Sequence, residues 1–138
     1  MTTVKKKTAK ASPKFDYKTI KTFEDACKKL GVDPEILPGV TGLPEEFAKP
    51  IIAAYKLLII YKAINNGWKP DWSNWNKYKY YPWFGVLSSG FGFSCAGYYC
   101  GGANASVGSR LCTDTREKAL YIAEQFKAEY TEYFLYSE

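Results

Sequence analysis

Ile51-Ile52-Ala53-Ala54-Tyr55-Lys56-Leu57-Leu58-Ile59-Ile60-Tyr61-Lys62-Ala63-Ile64 is the stretch on which the fold turns. Nearly every position is apolar, and Asn65-Asn66-Gly67 follows as a helix stop. A helix this apolar is central and mostly buried, so the rest of the chain has to cover it. Lys49, Lys56 and Lys62 mark the thin side that reaches water. The run carries two lysines and falls short of the ~20 residues a membrane span needs. Upstream, Pro44, Glu45 and Glu46 suit a first helical turn. Pro50 does not, so the helix either kinks there or begins near Ala48 after a short turn.

Before this helix, Thr22-Phe23-Glu24-Asp25 predicts another helix start. Thr22 is a capping residue, and the two acids lie at the positive end of the dipole. Phe23, Ala26, Cys27 and Leu30 form one apolar stripe, and Gly31 ends it. Residues 31–44 hold Pro34, Pro38, Gly39, Gly42 and Pro44, and so read as a connector.

The charge has an address. Of 19 basic and 14 acidic residues in a chain of 138, five lysines and no acid fall within the first fourteen positions. The remainder balances 14 against 14, so the formal net charge of +5 belongs to the N-terminal segment. Its Lys/Thr/Ala/Ser composition, closed by Ser12-Pro13, has almost nothing to bury and is expected to be disordered when alone. No secretory signal follows these lysines, and the absence of arginine does not suit a transit peptide. Residues 1–18 therefore read as a flexible basic tail and 19–138 as one domain.

Downstream, all four tryptophans fall between Trp68 and Trp83. Pro70, Asp71 and Asn74 predict an ordered loop, and a strand is expected from about Tyr78. Residues 83–109 contain no charged side chain and seven of the eleven glycines. Within them, Phe91–Cys95 and Tyr98–Cys100 read as strands, and Ser109-Arg110-Leu111-Cys112 as the closing strand of a small antiparallel sheet. A last helix opens at Asp114 with Glu117 as capping-box partner. Ala119, Ile122, Ala123, Phe126, Tyr130, Tyr133 and Phe134 form its buried face, and Glu124, Lys127, Glu129 and Glu132 its wet one. The fold class is α+β, with the small sheet packed against the long central helix and the C-terminal helix.

The chain has no histidine, which removes serine–histidine and cysteine–histidine nucleophile pairs and histidine metal ligands. Cys95, Cys100 and Cys112 lack an adjacent fourth zinc ligand, with only Cys27, on a helix stripe, left over. They read as buried free thiols, with a Cys95–Cys100 disulfide as the oxidised alternative. The glycines match neither a Walker loop nor a dinucleotide fingerprint and serve tight turns. Glu45-Glu46 and Asp114/Glu117 sit at helix starts, where acids stabilise the dipole. No catalytic residue, metal or cofactor is expected.

The aromatic block is the positive signal. Lys77, Lys79 and the rings from Tyr78 to Phe84 combine cations with flat faces, the material of a single-strand stacking platform. Tryptophan and tyrosine also build protein hot spots and glycan sites. Inward rings packing on the long helix, with Lys77 and Lys79 on the wet face, remain the plain alternative.

The strings Gly67-Trp68-x-Pro70-Asp71-Trp72, Lys79-Tyr80-Tyr81-Pro82-Trp83-Phe84, Gly108-Ser109-Arg110-Leu111-Cys112 and the Gln125-Phe126 helix occur in that order. Over roughly residues 55–135, the chain resembles a group of small uncharacterised proteins encoded by Bacteroidetes phages and prophages. It departs from them at Thr113-Asp114-Thr115. The resemblance implies a phage or mobile-element origin, hence the bacterial cytoplasm or the virion, and transfers no catalytic residue.

The expected function is that of a non-enzymatic binding protein whose partners are nucleic acid, other phage proteins or further copies of the chain, and not a membrane. The candidate contact residues are Lys5, Lys6, Lys7, Lys10 and Lys14 in the tail, Trp72, Trp75, Lys77, Tyr78, Lys79 and Tyr80 in the aromatic block, and Arg110. The competing expectation is a virion or assembly component whose rings make protein contacts. An enzyme comes third.

Overall fold

The computed structural model describes residues 14–85, the backbone of 95–101, and residues 106–136. In chain order it contains α1 (Phe23–Leu30), α2 (Glu45–Asn65), β1 (Lys79–Phe84), β2 (Cys95–Gly101), α3 (Arg116–Gln125) and α4 (Lys127–Phe134).

Helix α1 is built from local signals. The Thr22 hydroxyl accepts from the Asp25 N–H, and the Asp25 carboxylate accepts from the Thr22 N–H, a reciprocal capping box. Gly31 ends the helix at φ 69, a conformation that glycine adopts without penalty. Phe23, Ala26 and Cys27 are buried against α2.

Helix α2 continues without a break past Pro50, with Pro44 as its N-cap rather than inside the first turn. Proline removes the N–H that would bond the Glu46 carbonyl. Glu46 is exposed, so water can take that partner's place. The helix is less buried than its composition suggests. Ala53, Leu57, Ile60, Tyr61 and Ile64 form one buried face, whereas Phe47, Ile51 and Leu58 are exposed. Helices α1 and α4 cover the buried face, and the centre of the core combines Ile20, Phe23, Ile60, Tyr61, Phe126 and Tyr130. The Tyr61 and Tyr130 hydroxyls share a buried hydrogen bond.

The last helix opens one residue later than expected and comes in two parts. Thr115 is the N-cap, its hydroxyl accepting from the Lys118 N–H, while Asp114 pairs with the Lys118 ammonium at 2.9 Å. Phe126 leaves helical values (φ −112, ψ 33) and separates α3 from α4. The break divides the half that lies on the strands from the half that lies on α2. Tyr133 and Phe134, expected inside, are partly exposed.

The mixed helix-and-strand class holds, and the described residues show a two-stranded antiparallel ribbon rather than a sheet closed by residues 109–112. Strand β1 pairs antiparallel with β2, Tyr81 opposite Tyr99, with an irregularity between Trp83 and Phe84. Ser109 and Arg110 form a turn instead of a closing strand, because Gly108 at φ 77 bends the chain before them. Only Thr113 reaches β1, exchanging backbone bonds of 2.9 and 2.8 Å with Tyr80. Tyr80 thereby directs its backbone groups away from β2, as does Pro82 two residues on, where its missing N–H disturbs no ladder bond. The ribbon lies against α3 rather than against α2. Residues 91–94 of the expected first glycine-rich strand lie outside the described residues.

The segment just before α1 is docked. Asp16 caps a single 3₁₀ turn over Tyr17–Thr19, and Phe15 and Tyr17 pack on the core. Tyr17 meets Tyr121 edge-on at 5.3 Å. The Tyr121 hydroxyl donates to the Ile20 carbonyl at 2.6 Å, and Gln125 donates to Lys21 at 2.8 Å. Deleting residues 1–13 is therefore expected to move the melting temperature by no more than about two degrees. Deleting 1–20 removes buried Ile20 and both rings and should lower it by ~10 degrees or more. Equal melting curves for the two truncations would contradict the docking.

Candidate nucleic-acid interface

Asn66 (φ 47) and Gly67 (φ 89) turn the chain out of α2 into the loop that carries most of the tryptophans. Short polar turns shape this loop. The Asp71 carboxylate accepts from the Ser73 N–H at 3.0 Å and from its hydroxyl at 2.5 Å. These bonds hold the exposed Asp71 below the usual carboxylate range, with Lys77 and Lys79 adding to the effect. Asn74 accepts from the Asn76 N–H at 2.9 Å.

Two further bonds fasten the loop to the domain. The Trp72 indole donates to the Ser109 hydroxyl at 2.7 Å. The Lys79 ammonium donates to the Asn74 carbonyl at 3.1 Å and lies 5.1 Å from the centre of the Trp72 ring. Lys79 is only 1% exposed. It was expected on the wet face of the strand. Its stem instead runs inward and its head supports the loop from below, so it is unavailable to a partner.

What the loop presents to water is Trp75, 64% exposed, and Tyr78, 53% exposed, on either side of exposed Lys77. Tyr78 rests edge-on against Tyr80 at 6.4 Å. Tyr80 and Trp72 are half-buried, and Tyr81 is buried with its hydroxyl accepting from Ser106 at 2.6 Å. Trp83, not singled out from the sequence as a contact residue, is 58% exposed. Strand alternation would place it with buried Lys79 and Tyr81, but it stands at the end of the strand beside the irregularity in pairing. Among the tail lysines Lys14 is exposed, and Lys5, Lys6, Lys7 and Lys10 lie outside the described residues.

Arg110 is exposed but belongs to a separate feature. A cleft of about 980 Å³ opens between the end of α1, the second half of α2, the start of the loop and the 109–110 turn. Among the described residues its cations are Lys29, Lys62, Lys69 and Arg110, and no acidic residue lines it. Lys29 is held by a 2.9 Å bond to the Asn66 side-chain oxygen and lies 3.7 Å from the centre of the Phe15 ring. At the cleft wall, buried Asn65 donates to the Cys112 carbonyl at 2.8 Å, while its Oδ1 has no partner among the described residues. Asn65→Ala leaves that buried carbonyl without its donor and is expected to lower stability by about 1–3 kcal/mol in urea denaturation. A change below ~0.5 kcal/mol would mean that the carbonyl reaches water instead. Four cations spread from position 29 to position 110 leave no linear motif, which is why sequence reading found only Arg110.

The thiols are poorly placed for chemistry. Cys27 and Cys112 are buried and free. Burial pushes the Cys112 thiol up to about 11 against a small opposing pull from Lys79, and raises Cys27 as well. No group of three metal-ligating residues assembles among the described residues, and Cys95 and Cys100 have no described side chains. No helix among the described residues is long and apolar enough to cross a membrane. Comparison with protein-family models, with curated proteins and with solved structures finds no match to this chain.

Proposed function

We propose that this chain is a non-enzymatic, phage-encoded binding protein that engages single-stranded nucleic acid through its exposed rings and its basic N-terminal segment. The observation that carries the reading is the exposure of Trp75 and Tyr78 around Lys77, on a loop fastened to the domain at Trp72 and Lys79. A packing role would have buried these rings. A fastened loop presents them with little ordering left to lose, and each base stacked contributes ~1–3 kcal/mol. The phage origin rests on the strings between Gly67 and Phe126.

A second reading, a virion or assembly component, draws on a different surface. Ile36 and Leu37 on the connector are exposed, and aliphatic side chains serve protein contacts rather than base stacking. Fluorescence anisotropy with labelled oligothymidylate, run beside sedimentation of the protein alone, separates the two. Strand binding weakened by Trp75→Ala supports the first. Undetectable strand binding, with self-association broken by Ile36→Asp, overturns it in favour of the second.

A further inference from the structure

We propose that the cleft between α1, α2 and the 109–110 turn binds a nucleotide unit, phosphate and base together. Its described lining sums to four positive charges with no acid, and none of Lys62, Lys69 and Arg110 is ion-paired among the described residues. Two of the four have a structural duty. Lys29 and Lys62 stand in the last turns of α1 and α2, where they complement the negative ends of the dipoles. Lys69 and Arg110 have no such duty, since one comes from a loop and the other from a turn. An Arg guanidinium flanked by lysines matches the oxygens of a phosphate, and the fork grips two at once.

Beside Asn65, Asn66 and Ser109, much of the rest of the wall is apolar. Tyr55, Trp68 and Pro70 are half-buried there, beside Leu58 and Ile59. Rings at the side of a cationic cleft provide for a heterocyclic base as well as for its phosphate, which an inorganic anion does not need. The volume of about 980 Å³ lies at the upper end for ligand clefts and leaves room for more than one nucleotide. The unit arrives either as a free nucleotide or as part of a strand. The site is separate from Trp75 and Tyr78, and the proposal does not rest on strand stacking at those rings.

The test is calorimetric titration of the full chain with 5′-phosphorylated thymidine dinucleotide at low salt, with thymidine monophosphate, oligothymidylate, inorganic phosphate and a glutamate-rich peptide as further ligands. The double variant Lys69→Glu/Arg110→Glu changes two exposed side chains that cap no helix and should melt like the parent. Its dinucleotide affinity should fall at least ~tenfold, the size of one lost charge-assisted bond. Trp68→Ala should weaken the dinucleotide but not inorganic phosphate, whereas Lys49→Glu, elsewhere on α2, should change neither. Monophosphate binding with the same sensitivity would assign a free nucleotide. Sensitivity shown by oligothymidylate and dinucleotide but not by monophosphate would assign a strand. No measurable dinucleotide binding, an unchanged affinity in the double variant, or tighter binding of the acidic peptide would each overturn the proposal. Such a failure alongside Trp75-dependent oligothymidylate binding would remove the cleft alone.

Discussion

Affinity for single-stranded oligonucleotides is expected to fall steeply as salt rises, and deletion of residues 1–14 is expected to remove most of that fall. Five lysines without an acid precede residue 15, while the remainder of the chain is balanced. Each lysine engaging a phosphate releases condensed counterions, so five engaged together give a log–log slope of up to ~3–3.5 on single strands. The rings behave differently. Stacking displaces no counterion, so Trp75→Ala or Tyr78→Ala should weaken binding ~5- to 100-fold and leave the slope unchanged. Lys77→Ala should reduce the slope by less than ~1. Anisotropy titrations across a salt series check all of these. A tail-deleted protein with the parent's slope would move the electrostatic contact into the domain. Ring variants with unchanged affinity would remove Trp75 and Tyr78 from the interface.

The largest expected effect on stability is that of Phe126→Ala. This ring is 1% exposed at the break between α3 and α4, in the same core as Tyr61, Ile122 and Tyr130. Truncating a buried phenylalanine removes its transfer free energy and leaves a cavity, together about 3–5 kcal/mol. Against the ~5–15 kcal/mol that holds a domain together, this leaves a protein marginally folded or unfolded. The contrast is Phe134→Ala. That ring packs edge-on against Phe84 at 5.6 Å but is 49% exposed, so its loss should be at most about half as large. Urea denaturation of both variants measures the difference. Equal losses would show that the two rings share one level of burial, contrary to the arrangement of α4.

Several features needed only their own neighbours in sequence. Thr22, Asp25 and Gly31 mark both ends of α1 within ten residues, because capping bonds and a left-handed glycine act locally. Asn66-Gly67 stops α2 for the same reason. The stripe Phe23, Ala26, Cys27 follows from helical periodicity, as do Ala119, Ile122 and Ala123 on α3. The concentration of tryptophans in one loop, and of spare positive charge before residue 15, is composition and needs no fold.

Other outcomes depended on which side chains met in the folded molecule. Lys79 reads as a wet strand position, yet the Trp72 ring and the Asn74 carbonyl receive its head and take it out of water. Asp114 reads as a helix cap, but Lys118 occupies it and Thr115 caps instead. The strand expected at Ser109–Cys112 gave way to a turn that receives the Trp72 indole. Phe126 reads as one position in a continuous helix and is instead where that helix divides, between contacts to the strands and contacts to α2. The cleft is the extreme case, since Lys29, Lys62, Lys69 and Arg110 become neighbours only when α1 packs on α2 and the 109–110 turn folds beside the loop. Caps and periodic stripes depend on bonds a few residues long, so the sequence alone determined them. Which cations share a cleft, which carbonyl Asn65 meets and which turn receives the Trp72 indole depend on contacts between residues some thirty to eighty positions apart, and only tertiary packing brings those together.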